Sequence, residues 1–545
     1  LINNCDTNQE FQDYINTHQT WVFPVLNVDG FVYDYPSENM WRKNRQPFAN
    51  RVGTDLNRDF NGTCSGNRFS DWGALTEGSR TSHSPRDETF MGAYGAWGTE
   101  VQALTEFFRR HTFVAVISFH SYSELVLWPY GHGELTPDND YYASLGTKIA
   151  AQISRLDTGT YTPEQSSALY PTNCGSDDWM YGWGRQLGGF PCMSFTVELG
   201  TDFYQPASEL DRIQTEAFKG AWVLMNHADS IVADLEGLVP PPRLARLDTS
   251  TTGEFTLSWS PVRPEQNHPD IWELEELQDL TVVTDDIEGG ADRWELQGFV
   301  VSTDQKHSGA NSLYSGAGNN ISNYAMTKDP YPVQTGDSLT FWIWHDLERN
   351  YDVAVVEVSM EGREWIQLEP RYTGNSNGWV RKACSLDPWA GRSVFIRFRA
   401  MSDDGTNNVG VYVDDIFPVP AFAARRVVDS SIVDTAYTIQ AQANGQYWYR
   451  VRGHNPTWGW SVFGSLEDII VTGVGLAQAK EQPTVTTVLG VGPNPFSLLV
   501  QVQYALSVAG PVVVAVFDAS GRKVRSLVDA RQSAGIHSLF WDGRN

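Results

Sequence analysis

Polar and apolar positions follow one rhythm up to about residue 235 and another beyond it. In the first part, continuous apolar runs alternate with stretches of helical period. Phe113 to Phe119 is an apolar, mostly β-type run that stops at His120-Ser121-Tyr122-Ser123 and resumes as Leu125 to Gly131. It follows the helix-like Glu100–Arg110, so it reads as a buried strand with His120 at its C-terminal end, where open α/β sheets place their sites. Met193 to Gly200 repeats the pattern and carries Glu198 near its end. A carboxylate in an apolar run is costly unless it is paired, bound to a metal or catalytic. Upstream, Glu10–His18 reads as the end of a helix, Trp21–Asn27 as a strand and Val28-Asp29-Gly30 as its turn.

Leu238-Val239-Pro240-Pro241-Pro242 reads as a stiff linker. From Arg243 onward helical periodicity vanishes, and short alternating strands with Gly, Asn and Asp turns take over. The fold class expected is therefore multi-domain: an α/β domain, a mixed sheet flanked by helices, followed by all-β sandwich modules. Residues 1–235 form the first unit. The β-rich part divides into a split sandwich (236–264 and 421–474), an insertion (265–420) and a last module (485–545), set off by the low-complexity Gly473–Thr487.

Composition narrows the function classes. The chain has 545 residues, 41% of them apolar and 12% aromatic, enough for about three to five packed domains. A formal charge of −27 repels polyanions and excludes a nucleic-acid partner. No apolar run approaches ~18 residues, so no membrane span is expected. Five cysteines imply no disulfide framework and leave any pairing open. The chain opens on Leu1 and a polar stretch, which suggests that an N-terminal portion precedes it; its last residues suggest clipping as well.

Candidate chemistry gathers in the first unit. Met40 to Arg45 sets three cations around Trp41, and Gly53 to Phe60 brings Asn57 beside Arg58. An Arg next to an Asn can grip a carboxylate, with a guanidinium fork and an amide donor, although a surface ion pair has the same composition. Ser176, Asp177 and Asp178 have the composition of a cap for a helix starting at Trp179. The remaining histidines of this unit, His18, His83, His111, His132 and His227, are expected on the surface or packed.

WRKNR (41–45), GTDLNRDF (53–60), SFHSYSELVLWPYG (118–131), ALYPTNCGSDDW (168–179) and SFTVELG (194–200) stand in the order and approximate spacing of the zinc carboxypeptidases. Over about residues 1–230 the chain resembles their A/B branch and its bacterial carboxypeptidase T members. The resemblance implies that His120 is a zinc ligand and that Glu198 is the general base and acid of the reaction. It implies further that Arg45 polarises the scissile carbonyl, Asn57 and Arg58 hold the substrate's terminal carboxylate, Tyr170 closes over it, and Arg42 serves a secondary subsite. Asp177 aligns with the floor of the pocket for the C-terminal side chain, where an Asp favours Lys or Arg; the capping reading of the same residue stays open.

The family's other two zinc ligands form a His-x-x-Glu upstream of the first helix, beyond the start of this chain. The only His-x-x-Glu present, His345 to Glu348, lies in a β-rich region and reads as chance. One ligand of three is thus in hand, which puts the activity of this stretch alone in question. Further on, Pro241–Trp259 and Tyr447–Gly453 resemble strands of a fibronectin type III module. His307–Tyr314 and Val411–Ile416 resemble the jelly-roll modules found beside secreted bacterial proteases, which can bind sugars or Ca²⁺. The end of the chain resembles a C-terminal Ig-like module.

The expectation is a secreted bacterial zinc metallocarboxypeptidase that hydrolyses the C-terminal peptide bond of peptides or proteins, with a preference for Lys or Arg. Carbohydrate or a cell surface would engage the β-modules. Two alternatives stand beside it: a peptidase of cell-wall stem peptides, and a catalytically inactive binding protein on the same fold.

Overall fold

The computed structural model describes residues 6–35, 37–247, 249–262, 269–473, 485–492, 500–518 and 520–541. Cys5, Pro493–Phe496, Asp542–Asn545 and most of the Gly473–Thr487 stretch lie outside the described residues.

The first unit is a three-layer α/β arrangement. Helices α1 (Gln9–Thr17), α2 (Val28–Asp34) and α3 (Thr99–Arg109) precede strand β1 (Ala115–His120). Strand β2 (Leu125–Trp128), helix α4 (Asn139–Ala150), strand β3 (Thr162–Gln165), helix α5 (Ser176–Trp183), strand β4 (Met193–Glu198) and helix α6 (Leu210–Asn226) follow. The sheet order is β1-β4-β2-β3, with β1 parallel to β4 and β2 antiparallel to it. Every residue of β4 is buried, as a β-branched and aromatic run covered on both faces requires. Ala115 and Ile117 face a core with Tyr142, Leu145, Ile149, Phe195 and Leu224; Val116 faces the other, with Val101, Phe108, Trp179 and Trp183. That alternation is the period of two of an extended chain. Each such aromatic or aliphatic side chain contributes about 1.5–3 kcal/mol by leaving water.

Two local expectations are corrected. Trp21–Asn27 is not a strand, and Val28-Asp29-Gly30 opens α2, with the Asn27 side chain accepting from the Gly30 N–H at 3.0 Å. Trp21, Val22 and Phe23 are exposed; among the described residues β1 pairs only with β4, so no ladder forms to cover them. Likewise α5 begins at Ser176 rather than Trp179, with Gly175 at its N-cap.

The proline segment is seated on the first unit. The Leu238 N–H donates to the Arg185 carbonyl at 3.0 Å and Val239 is buried. Beyond it, strands β5 (Phe255–Ser260), β6 (Ile271–Asp285), β7 (Ser338–Asp346), β8 (Val353–Ser359), β9 (Ser393–Met401), β10 (Gly410–Ile432) and β11 (Gly445–Asn455) carry two cores. One holds Leu257, Trp259, Leu274, Ile432, Tyr449 and Val451; the larger holds Leu339, Phe341, Val356, Ile396, Phe398, Val413 and Val419. Strands β6 and β10 pair antiparallel along both. Near the C-terminus Thr487–Gly492, Val500–Leu506 and Gly535–Trp541 form one sheet, and Gly510–Phe517 pairs with Lys523–Gln532. Among the described residues Cys64, Cys174, Cys192 and Cys384 are buried and unbridged, and no helix is long and apolar enough to cross a membrane.

The larger β-core docks against the first unit through β8 and β9. Trp72, Leu75, Met91 and Cys174 pack on Val353, Val355 and Met401. Around this cluster Asp71 pairs with Arg397 at 2.7 Å, while Glu357 pairs with Arg397 at 2.8 Å and Arg399 at 2.9 Å. Arg399 also donates to the Trp72 carbonyl. All four charged side chains are buried, so each depends on the others for compensation.

Candidate active site

The register of β1 against β4 sets His120 directly opposite Glu198 at the C-terminal ends of two parallel strands. His120 Nδ1 and Glu198 Oε1 are 3.9 Å apart, beyond hydrogen-bond reach. The other ring nitrogen, Nε2, is 3.0 Å from Ser118 Oγ. Burial, reinforced by the charges of Arg58 and Arg42, lowers the imidazole to about 4, although 28% of the side chain still reaches solvent. Burial raises Glu198 to about 7, Arg42 and Arg58 pull against that rise, and Asp177 adds to it. The field at this carboxyl therefore registers two cations and a second carboxylate from distant parts of the chain.

Asn57 and Arg58 sit on a single 3₁₀ turn, Leu56–Arg58, opened by Asp55, whose side chain accepts from the Asn57 N–H. Arg58 is buried; its Nε donates to the Arg80 carbonyl at 3.0 Å and Nη1 to the Asn57 carbonyl at 2.7 Å, which fixes its plane. Asn57 Oδ1 accepts from the Ser176 N–H at 2.9 Å. The first amide of α5 is thus satisfied by a side chain from another segment, and the amide NH₂ of Asn57 is oriented by that bond.

Asp177, in the first turn of α5, is 8% exposed. Its Oδ2 accepts from Ser166 Oγ at 3.2 Å and lies 3.4 Å from Thr196 Oγ1, its Oδ1 accepts from the Asp178 N–H, and burial together with the Asp178 charge raises its titration. Tyr170 is the C-cap of the short helix Ser166–Leu169 and is half-buried.

The two arginines of the tryptophan motif have different neighbours. Arg45 stacks over Tyr33 at 3.7 Å and Trp41 at 4.6 Å, an aromatic seat that satisfies a cation. Arg42 instead pairs with buried Asp55 at 2.8 Å and is one of the charges acting on both His120 and Glu198. The charge of Arg42 acts on the His–Glu pair, while Arg45 is half-buried against two aromatic rings. Asp55, which steers both Arg42 and the Asn57 turn, was missed by sequence reasoning; its signal was a lone carboxylate two positions ahead of Asn-Arg.

A neutral imidazole whose Nδ1 makes no hydrogen bond to the facing carboxylate suits one corner of a zinc site, with Ser118 orienting the ring from behind. Glu198 beside it suits a proton carrier. Among the described residues, the three-carboxylate grouping that could hold a metal ion, Glu348 with Asp352 and Asp403, is elsewhere. His120 could supply one such corner, and the described residues bring no group of three metal donors around it.

Solved structures with a likeness to the chain include thrombin-activatable fibrinolysis inhibitor (28% identity, TM-score 0.35, 43% of this chain and 56% of that one). Another is a carbohydrate-binding module solved with β-1,4-galactotriose (14% identity, TM-score 0.19, 26% of this chain and 95% of that one). Carboxypeptidase B of Bos taurus is 34% identical over 197 residues, 34% of this chain and 42% of that protein. Carboxypeptidase B2 of Homo sapiens is 35% identical over 186 residues, 33% of this chain and 40% of that protein. The chain thus spans about two fifths of the length of these relatives. The zinc carboxypeptidase family model matches residues 1–220. Residues 1–220 are a zinc carboxypeptidase domain, akin to carboxypeptidases A and B.

Proposed function

We propose that the protein is a secreted bacterial metallocarboxypeptidase that removes Lys or Arg from the C-terminus of peptides and proteins. The observation that carries this reading is the register that sets His120 opposite Glu198, 3.9 Å apart, with Asn57 of the Asn-Arg turn bonded to the first amide of the helix that carries Asp177. In this reading Arg58 and the Asn57 amide take the terminal carboxylate, Tyr170 closes over it, and Asp177 receives the cationic side chain. Arg42 faces the developing oxyanion. Glu198 accepts a proton from the attacking water and returns it to the leaving amine, for which a carboxyl raised toward neutrality is suited. Zinc, held by His120 together with a His and a Glu proposed to precede Leu1, would supply polarisation of the carbonyl and acidification of the water. The β-modules would bring the enzyme to carbohydrate or a cell surface.

The test is release of C-terminal Arg or Phe from blocked dipeptides by the protein as the cell makes it, with and without a chelator. Chelator-sensitive release of Arg over Phe is expected. No chelator-sensitive release of either residue overturns the enzyme reading, and release of Phe alone removes the role given to Asp177.

A further inference from the structure

Where the loop after β8 meets β11 and the segment that follows it, the two β-cores leave a cavity of about 390 Å³. Neither Arg58 nor any other residue assigned to the peptidase site lines it. Part of its lining is apolar, with Met360, Phe395, Val462, Phe463 and Leu466. The rest includes three arginines, Arg363 from the loop and Arg450 and Arg452 from β11. In a chain of net charge −27, three guanidinium groups around one space call for a physical account.

Part of that account lies in the sheet. The register of β11 against β6 sets Arg450 opposite Glu275 and Arg452 opposite Glu273. Arg450 Nε donates to Glu275 at 2.6 Å; Arg452 Nε donates to Glu273 at 2.8 Å, and its Nη2 lies 2.7 Å from the same carboxylate. Both guanidinium groups lie over the Phe463 ring, 4.2 and 4.7 Å from its centre. These contacts fix the two forks but engage Arg450 only through Nε, so its terminal nitrogens have no acceptor among the described residues. Arg363 is half-buried and makes no ion pair among the described residues; its Nη1 fills the space that a side chain on Gly66 of the peptidase domain would need. A guanidinium held out of water without an acceptor is costly, and an anion removes that cost. Glu361 is the acid of the lining. Its Oε1 accepts from the Glu364 N–H at 2.9 Å and from Ser359 Oγ at 3.2 Å, and burial pushes the carboxyl up to about 7. It therefore opposes an incoming anion less than an ordinary carboxylate would.

Ligand cavities run from about 300 to 1,000 Å³, which puts this one at the small end. We propose that it binds a small carboxylate with an apolar or aromatic body, the charge taken by Arg363 and the free end of Arg450 and the body laid against Phe463 and Phe395. The proposal does not depend on the peptidase reading. It assigns a second carboxylate site, built from both β-cores and closed on one side by a contact with the peptidase domain.

The experiment is calorimetric titration of the whole chain with N-acetyl-L-phenylalanine as the probe and its amide as the neutral isostere. Arg58 of the peptidase site could take the same carboxylate, so the two sites are told apart by variants. A binding event is expected that Arg363→Gln weakens by about tenfold or more, that Arg363→Lys largely restores and that Arg58→Lys leaves in place. The amide should bind about tenfold more weakly or worse at this event. Arg363→Gln should melt no lower than wild type without the probe, because the side chain it replaces has no ion pair to lose. No binding of the probe, binding unaffected by Arg363→Gln, equal affinity for the amide, or binding lost with Arg58→Lys alone overturns the proposal.

Discussion

Arg42 and Arg45 stand three residues apart in one basic motif, yet their surroundings separate them. Arg42 has a buried carboxylate to steer it and a field that reaches Glu198; Arg45 has two aromatic faces. Replacing Arg42 by Ala should lower kcat by about 10²- to 10³-fold, the usual cost of losing an oxyanion donor. Replacing Arg45 by Ala should leave kcat nearly unchanged, so steady-state kinetics on one dipeptide tells them apart. Asp177→Asn should lower kcat/KM for Arg-terminated substrates by about 10²-fold and spare Phe-terminated ones. The pH dependence has a definite sign. Burial and Asp178 raise the Asp177 titration, so the carboxyl is charged above that raised value and neutral below it. KM for Arg substrates should rise as pH falls through that window, while KM for Phe substrates does not follow. Equal pH profiles for the two would remove Asp177 from the pocket.

Elements differ in how much of them the chain declares in advance. The apolar run ending at Glu198 was legible because a strand buried on both faces leaves no ambiguity of period, whereas the run ending at His120, expected to be buried, is a half-buried strand with Phe119 exposed, since among the described residues it pairs on one side only. Trp21–Asn27 carries the same composition but becomes coil, since a strand exists only with a neighbour to bond. The start of α5 was misjudged because its first amide is satisfied by Asn57, 119 positions away. The buried ion network at β8 and β9 was wholly illegible; Asp71 and Arg397 are 326 positions apart, and neither residue type signals burial. Glu357→Ala would strand Arg397 and Arg399 and should cost about 3–5 kcal/mol. A denaturant titration that moved by less than about 1 kcal/mol would show the network to be solvated.

At the scale of the molecule, the β-region is part of the peptidase domain's own support. Trp72, Leu75 and Met91 are covered by side chains of β8 and β9, and the segment that carries them includes Arg80, whose carbonyl orients Arg58. A chain ending at Pro242 should therefore lose more than its appendages. Limited proteolysis is expected to cut it between Asp71 and Arg80 at rates the whole chain resists, and equal protection of the two would make the modules independent of the fold.

The strand pair β6 and β10 has one more implication. Gln278 and Ala424 face each other as cross-strand partners, so the backbone leaves the smaller sandwich and re-enters it at adjacent points, about 5 Å apart. A tight two-residue loop could replace everything between them and convert the doorway into an ordinary hairpin. Lineages could thus gain, exchange or shed the entire guest module at a single seam, without rewiring its host.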